Sequence, residues 1–361
     1  MSRIRVGLIG FGMMGRMQAG LCFGALRDRF RIVAVCDDHP PHLAAARELL
    51  GDDGVSYFTD WRLMLERADF GLAVVVTPDF LHEEMAVACL EAGKHLRLEK
   101  PMALDPAGCA RVARAARKAG TVVQIGLELR SAELVGRMRE ELPSLGALEL
   151  LWCQEFRHPF LPKSGSVPDW IVQRRYSGGT LVEKCCHHFD LFNSFALSRP
   201  VSVFASGAGR VEYAHTDILD NAFATVDYEN GLRANLALCM FAPRPEGRPH
   251  LRSLSFGLMG SEGRLELQGD ELFVWDRSRE GERRYAHSRE DKAGHDDEIA
   301  PALLELAACI EAGSEPDAGI AAGFDSVMVA WAAELSAAER RVVTIDEMEE
   351  RAGAAWMDEG R

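Results

Sequence analysis

The stretch Ile4-Arg5-Val6-Gly7-Leu8-Ile9-Gly10-Phe11-Gly12-Met13-Met14-Gly15 decides the fold. A short, largely apolar run ends in three glycines spaced G-x-G-x-x-G, and helix-compatible residues follow to about Asp28. Strand, tight turn and helix in this order give each glycine a task. Gly10 permits the turn, Gly12 lets the backbone approach a pyrophosphate, and Gly15 lets the helix pack on the strand, while the helix N-terminus offers free N–H groups. Three glycines at this spacing also arise by chance, in which case they mark a plain βα turn, so the context has to carry the reading. That context is present. A second β-rich run, Arg31–Cys36, ends in Asp37 about twenty residues beyond the last glycine, the spacing of a βαβ unit that holds a dinucleotide. Asp37 can accept hydrogen bonds from both ribose hydroxyls, and its charge opposes a 2′-phosphate, which favours NAD over NADP. No basic residue follows closely, since Asp38, His39 and two prolines come next. The plainer alternative is that Asp37 caps a turn.

Working outward, Leu72–Val76, His95–Leu98 and Val122–Ile125 read as further buried strands, with helical stretches around Asp79–Ala92 and Asp105–Lys118 between them. This alternation predicts a parallel sheet. Asp105 can cap the second helix, Pro106 suits its first position and Gly120 stops it. Beyond about Gly126 the pattern changes to longer alternating runs at Leu148–Gln154, Val201–Val211, Phe223–Tyr228, Leu232–Met240, Leu251–Met259, Arg264–Leu267 and Leu272–Trp275. These predict a large, mostly antiparallel open sheet, with helices around Thr180–Leu197, Ile299–Ala312 and Ala321–Glu339 covering one face. The expected class is therefore α/β: a doubly wound Rossmann domain over 1–126, then an α+β domain over 127–361 for substrate and oligomerisation. The 361-residue length exceeds one comfortable core and agrees with two domains.

Composition narrows the function classes. With 47% hydrophobic and 27% charged residues the chain is an ordinary globule. A net charge of −14 repels phosphate backbones, and Arg174-Arg175 is too small a basic patch to bind nucleic acid. Nine cysteines without repeated spacing, and a start that lacks a signal-peptide layout, predict reduced thiols in a cytoplasm. No uncharged apolar run reaches the roughly 18 residues of a membrane span.

Three constellations carry chemistry. Thr77-Pro78-Asp79 and Glu99-Lys100-Pro101 each follow a strand, and the carboxyl ends of parallel strands are where ligands bind, so Thr77, Pro78, His82, Glu99 and Lys100 are candidates for cofactor contact with Gly10–Gly15 and Asp37. The third is Gly178-Gly179-Thr180-Leu181-Val182-Glu183-Lys184-Cys185-Cys186-His187-His188-Phe189-Asp190. On a helix Glu183, His187 and Asp190 form one stripe, which is either a wetted face or an active-site wall. Adjacent Cys185-Cys186-His187-His188 point in different directions and lack the spacing of zinc ligands, so no metal site is expected, and the two thiols are expected to pack in the core.

Together the segments GLIGFGMMG, VAVCD, VVVTPDFLH, LRLEKPMA and GGTLVEKCCHHFDL, with weaker echoes in DNAFATVDYENG and LMGSEGRLEL, resemble the oxidoreductase family named for glucose-fructose oxidoreductase, inositol dehydrogenase and the rhizopine-catabolism protein MocA. The resemblance spans nearly the whole chain. It implies an NAD-dependent dehydrogenase or reductase acting on CH–OH groups of a sugar, an inositol-like cyclitol or a related polyol. It also implies that Lys100 and His187 flank the carbon that exchanges hydride with nicotinamide C4, and that the chain forms a dimer or tetramer through the open sheet. An imidazole suits removal of a hydroxyl proton as hydride leaves, and Lys100 would stabilise charge on the same oxygen. Many relatives have Asp where this chain has Glu183, and Lys184-Cys185-Cys186 replaces a more usual apolar-Gly-apolar stretch. Arg130, Glu155, Arg157, His158, Trp170 and Arg174 could supply the donors, acceptors and flat surface that polyhydroxylated rings need; of these Arg130, Glu155, Arg157 and Trp170 join Lys100, Glu183 and His187 as the substrate-binding set. Two other functions fit the same scaffold: a glycoside hydrolase that uses transient oxidation by NAD, and a non-enzymatic dinucleotide sensor.

Overall fold

The computed structural model describes residues 3–158, 169–243, 254–277, 281–287 and 296–353. The chain divides into two compact units, the first built from Met1–Ala103, Ala107–Ser131 and His295–Phe324, the second from Leu104–Pro106, Ala132–Gly294 and Asp325–Arg361.

The first unit holds six strands, β1 (Ile4–Ile9), β2 (Phe30–Cys36), β3 (Ser56–Phe58), β4 (Leu72–Val75), β5 (His95–Leu98) and β6 (Val123–Ile125), in the order β3-β2-β1-β4-β5-β6. Every pairing is parallel. This is the doubly wound order, and the chain reverses direction across the sheet between β1 and β4, so the carboxyl ends of those strands open a crevice for a ligand. Helices cover both faces of such a sheet, and β1 and β4 accordingly bury Val6, Leu8, Ile9 and Leu72–Val75 almost completely. The short β3 escapes sequence reading because its three residues are neither continuous in apolar character nor fully buried.

Two differences from expectation concern helices. The helix after Gly15 is α-helical only over Met13–Met17 and widens to a π-turn over Gln18–Phe23. Such turns concentrate at functional sites, and this one carries Gln18, whose buried amide reaches the end of β5 as described below. The second difference concerns the helix Asp296–Ala312, which clusters with the first unit. The helix Asp296–Ala312 does not cover the second sheet; its residues Ile299, Leu303, Leu306 and Ala307 share a core with Val6, Phe23, Phe30 and Leu72 of the first unit. Gln124 Nε2 donates to the Ala302 carbonyl at 2.8 Å, and the Ile125 N–H donates to the Ala318 carbonyl at 2.8 Å, closing the edge beside β6. An apolar helix face is visible in a sequence, but the sheet that buries it is not.

The second unit holds β7 (Leu148–Phe156), β8 (Pro200–Ala208), β9 (Asn221–Tyr228), β10 (Arg233–Cys239), β11 (Leu254–Gly260), β12 (Gly263–Gln268), β13 (Glu271–Asp276), β14 (Arg283–Ala286) and β15 (Val343–Thr344), ordered β14-β13-β12-β11-β7-β10-β9-β8-β15. Among the described pairings of this sheet only that of β10 with β7 is parallel. The expected mostly antiparallel sheet is therefore present, although residues 251–253 of the expected Leu251–Met259 strand lie outside the described residues. The helix Cys186–Ala196 buries Phe189, Phe192 and Phe195, and the last two lie 5.5 and 5.7 Å, centroid to centroid, from Phe256 of β11. The helix Ile320–Glu339 is apolar and long enough to cross a membrane by composition, yet it is a mostly buried helix of the folded protein.

The position of the helix Asp296–Ala312 makes a stability prediction. Leu303→Ala should lower unfolding free energy by about 2–5 kcal/mol, the usual cost of a buried leucine truncation, in denaturant titrations followed by tryptophan fluorescence. A change under about 0.5 kcal/mol, as at an ordinary surface position, would contradict the placement of this helix in the first core.

Candidate active site

At the carboxyl edge of the first sheet the three glycines meet different constraints. Gly10 has φ +97°, and a Cβ there would lie 2.5 Å from the Val76 carbonyl oxygen. At Gly15 an added Cβ would lie 2.3 Å from the Gly10 oxygen. Gly12 is different: the nearest atom to its hypothetical Cβ is His42 Cε1 at 3.9 Å, so space remains for a ligand to approach the backbone. Met13 is 68% exposed beside it, whereas the Phe11 ring is fully buried and leaves only its main chain to the loop.

Asp37 closes this corner. Its Oδ2 accepts the Phe11 N–H at 2.6 Å, its Oδ1 accepts the His39 N–H at 2.9 Å, and His42 Nδ1 stands 3.1 Å from both oxygens. A turn-capping carboxylate would need only the His39 contact. The bond to the glycine loop ties Asp37 to the dinucleotide fingerprint itself.

Thr77 and Pro78 follow β4, and His82 sits just beyond at the start of the helix His82–Glu91. His82 is 0% exposed. Its Nδ1 lies 2.8 Å from the Pro101 carbonyl and its Nε2 2.9 Å from the Thr77 carbonyl, while burial lowers its pKa. A neutral imidazole donates from one ring nitrogen only, so His82 bonds one of these two carbonyls while its buried ring sits between the Thr77 loop and the Lys100-Pro101 loop.

Glu99 is likewise turned to the protein. Its Oε1 accepts Gln18 Nε2 at 2.6 Å and lies 3.9 Å from Arg97 Nη2, and Arg97 Nε donates to Gln18 Oε1 at 3.3 Å. Arg97 is fully buried and also bonds Gln124. This set joins the π-turn, β5 and β6 directly below Lys100, which is half-buried at the end of β5. Arg130 belongs to the same unit; its Nη1 donates to the Asp317 carbonyl at 2.8 Å and pairs with Asp317 Oδ1 at 3.0 Å, so one face of its guanidinium is committed to structure.

In the second unit the Gly178-Gly179 pair adopts positive φ, +75° and +106°, and a Cβ at Gly179 would lie 2.5 Å from Glu334 Oε1. That close approach lets Glu334 accept the Leu181 N–H at 2.9 Å and start the short helix Thr180–Glu183. The expected continuous helix Thr180–Leu197 breaks at Lys184-Cys185 and resumes over Cys186–Ala196. Glu183, His187 and Asp190 are nevertheless 7%, 6% and 1% exposed, which excludes a wetted face.

Behind this wall Glu155 gathers two cations and an imidazole. Lys184 Nζ and Arg157 Nη1 stand 3.7 and 3.9 Å from its Oε1, and His188 Nε2 3.4 Å from its Oε2. Burial alone would raise the Glu155 pKa, but Lys184, His188 and Arg157 together hold it well below the usual carboxylate range. Burial lowers the His188 pKa, so this imidazole is neutral near pH 7. Burial also pushes the Cys153 and Cys185 thiols well above their ordinary range, which makes them poor nucleophiles and poor metal ligands. Among the described residues no group of three or more His, Cys, Asp or Glu side chains is placed to hold a metal. Trp170 is half-buried in the short 3-10 turn Asp169–Val172, and Arg174 pairs with Glu334 at 3.5 Å.

Sequence reading missed His42, Arg97, Gln18, Gln124 and Glu334. None carries a motif. Arg97 alternates with apolar residues inside a short strand, and its burial is the only signal that it is structural.

The comparisons with known proteins agree with this architecture. Residues 4–127 match the model described as an oxidoreductase family with an NAD-binding Rossmann fold, and residues 144–345 match the C-terminal alpha/beta domain of the same family. Inositol 2-dehydrogenase 1 of Saccharopolyspora erythraea is 36% identical over 195 residues, covering 51% of this chain and 57% of the relative. D-glucoside 3-dehydrogenase of Escherichia coli is 25% identical over 245 residues, covering 64% and 68%. The alignment thus spans about half to two thirds of the curated relatives it matches. The WlbA dehydrogenase from Bordetella pertussis, solved with NADH and UDP-GlcNAcA, shares the fold with a TM-score of 0.80 at 21% identity, over 95% of this chain and 99% of that one. With a Rossmann fingerprint tied to Asp37, a Lys at the end of β5 and both family domains matched in order, the chain belongs to the oxidoreductase family of glucose-fructose oxidoreductase, inositol dehydrogenase and MocA.

Proposed function

We propose that this chain is an NAD-dependent dehydrogenase or reductase acting on a hydroxyl or keto carbon of a sugar, a cyclitol or a related polyol. The observation that carries the reading is the corner in which Asp37 accepts the Phe11 N–H while the space over Gly12 stays open. Gly10–Gly15 would hold the pyrophosphate, Asp37 the adenosine ribose, and Thr77, Pro78 and Lys100 the stretch toward the nicotinamide. Bound there, the dinucleotide accepts or donates hydride at its nicotinamide C4. Phe11 contributes only its main chain, and Glu99 acts from behind by fixing the end of β5.

His187, held on a buried helix, takes the hydroxyl proton during oxidation and returns it during reduction. Lys100 places positive charge on the same oxygen as it becomes a carbonyl or alkoxide. Glu183 and Asp190, one turn to either side of His187, orient the imidazole or the sugar hydroxyls. Glu155 sets Lys184, Arg157 and the neutral His188 in a fixed array, so Arg157 and Lys184 offer donors to a ring substrate, and Trp170 offers a flat face. The relatives named as inositol and D-glucoside dehydrogenases support a polyhydroxylated substrate.

Eight free, mostly buried cysteines among the described residues fit a reducing cytoplasm. A homo-oligomer built on the open sheet fits the exposure of Leu150, Phe156, Phe204 and Phe223, which share one face of β7, β8 and β9.

Two measurements test the reading. Calorimetric titration should show NAD+ binding at least several-fold tighter than NADP+, with Asp37→Ser narrowing the gap; equal or tighter NADP+ binding by the native protein would refute the Asp37 assignment. A spectrophotometric screen of polyols, sugars and ketosugars should find a substrate that yields stoichiometric NADH. On that substrate Lys100→Met and His187→Ala should each keep cofactor affinity and lose about 10²-fold or more of kcat, and retention of more than about a tenth by either would remove that residue from proton transfer.

A further inference from the structure

Asp37 is not alone at its corner. A carboxylate has about four lone-pair sites, and backbone N–H groups of Phe11 and His39 take two of them. The remaining capacity faces His42 Nδ1, equidistant from the two oxygens at 3.1 Å. The same ring stands against the glycine loop, its Cε1 being the nearest atom to a Cβ built on Gly12. His42 therefore lies between the carboxylate that would hold the adenosine ribose and the backbone that would hold the pyrophosphate. Its side chain is 33% exposed, against 9% for Asp37, so it is open to a ligand and to protons. The other charged groups here are few. His39 stacks edge-on at 4.6 Å, Asp38 follows in the same loop, and Arg16 of the glycine-loop helix directs Nε to the Phe11 carbonyl at 3.4 Å.

We propose that His42 is a cofactor-specificity residue: uncharged, it leaves Asp37 to repel a 2′-phosphate, and protonated, it cancels that charge and presents a cationic N–H to the phosphate. The inference rests on the placement of the dinucleotide at Asp37 and goes beyond it, because it makes the preference for NAD conditional. An imidazolium and a carboxylate 3.1 Å apart form a neutral pair, so the corner loses its net repulsion of an anion. A 2′-phosphate has more acceptor oxygens than a ribose hydroxyl and competes with Asp37 for the Nδ1–H. Binding of NADP+ is thereby linked to uptake of a proton at His42, whereas binding of NAD+ to the neutral ring is not. The sign follows: discrimination is strongest in alkaline solution, where the ring is uncharged, and weakens on acidification as the ring takes up a proton.

The test is calorimetric titration of NAD+ and NADP+ into the full-length protein, His42→Gln and His42→Arg at pH 8 and pH 5.5. The free 2′-phosphate titrates over this range and contributes the same term for each protein, so the comparison with His42→Gln reports what the ring adds, its effect on the bound phosphate included. The ratio of NADP+ to NAD+ dissociation constants should fall on acidification by about tenfold more in the native protein than in His42→Gln, the limit for one linked proton being tenfold per pH unit. At pH 8 His42→Arg should bind NADP+ about tenfold tighter than the native protein while NAD+ changes less than about threefold. Equal ratios in the native protein and His42→Gln at both pH values, with NAD+ still binding, would overturn the role of His42 alone. If instead Asp37→Ala left NAD+ affinity unchanged, the placement of the dinucleotide would fail and this inference with it.

Discussion

The first unit depends on how closely the turn after β1 is pressed against the end of β4. At Gly10 a side chain would enter the Val76 carbonyl, and at Gly15 it would enter the Gly10 carbonyl, so strand, turn and helix come within backbone contact of one another. Only glycine permits this. The consequence is geometric: the loop is held flat on the sheet and its outward side, over Gly12, is left open at the carboxyl edge where the connections from β1 and β4 leave in opposite directions. Asp37 can then reach the Phe11 N–H from the neighbouring strand. The features of a dinucleotide site all follow from that one approach of backbones.

A second constraint lies below it. Arg97 is charged and fully buried, a costly arrangement unless its nitrogens are satisfied. Gln18 accepts from the Arg97 Nε and Gln124 from its Nη1, while the Glu99 carboxylate stands 3.9 Å from Nη2 as counter-charge, and each comes from a different element: the π-turn, β6 and the end of β5. Because these partners are local to the edge, the network fixes where β5 ends and therefore where Lys100 begins. His82 packs from the other side, its buried ring between the Thr77 and Pro101 carbonyls and donating to one of them. The residues beside Lys100 thus hold its main chain from two directions, so that little conformational entropy remains to be lost when a ligand binds.

The second unit uses a parallel device. Gly179 admits the Glu334 carboxylate against the chain, and Glu334 then accepts the Leu181 N–H at the start of the helix that leads to His187. Burial raises the Glu334 pKa, while Arg174 and the Leu181 N–H oppose the rise. Asp220, fully buried, performs similar work nearby by accepting four consecutive N–H groups from Arg210 to Tyr213. Glu334 and Asp220 are therefore committed to main chain, and they fix the start of the helix that leads to His187 and the loop Arg210–Tyr213.

The sequence by itself determined the Rossmann unit, because its signals are local: a strand period, glycines at fixed offsets and an acid at the end of the next strand each report on a few adjacent residues. The alternating runs of the second sheet were legible for the same reason. The break at Lys184-Cys185 was not, since a four-residue helix resting on Glu334 and an uninterrupted one read alike until Gly179 is seen against that carboxylate. Nor could sequence show that the helix Asp296–Ala312 returns to the first core, or that the stripe Glu183, His187, Asp190 is buried, because an apolar or polar face states what it needs and not which surface meets it. His42 illustrates the same limit most sharply. In the chain it is one histidine after two prolines, and only the fold, by turning the helix Pro40–Leu50 back over the glycine loop, sets its ring between Asp37 and Gly12.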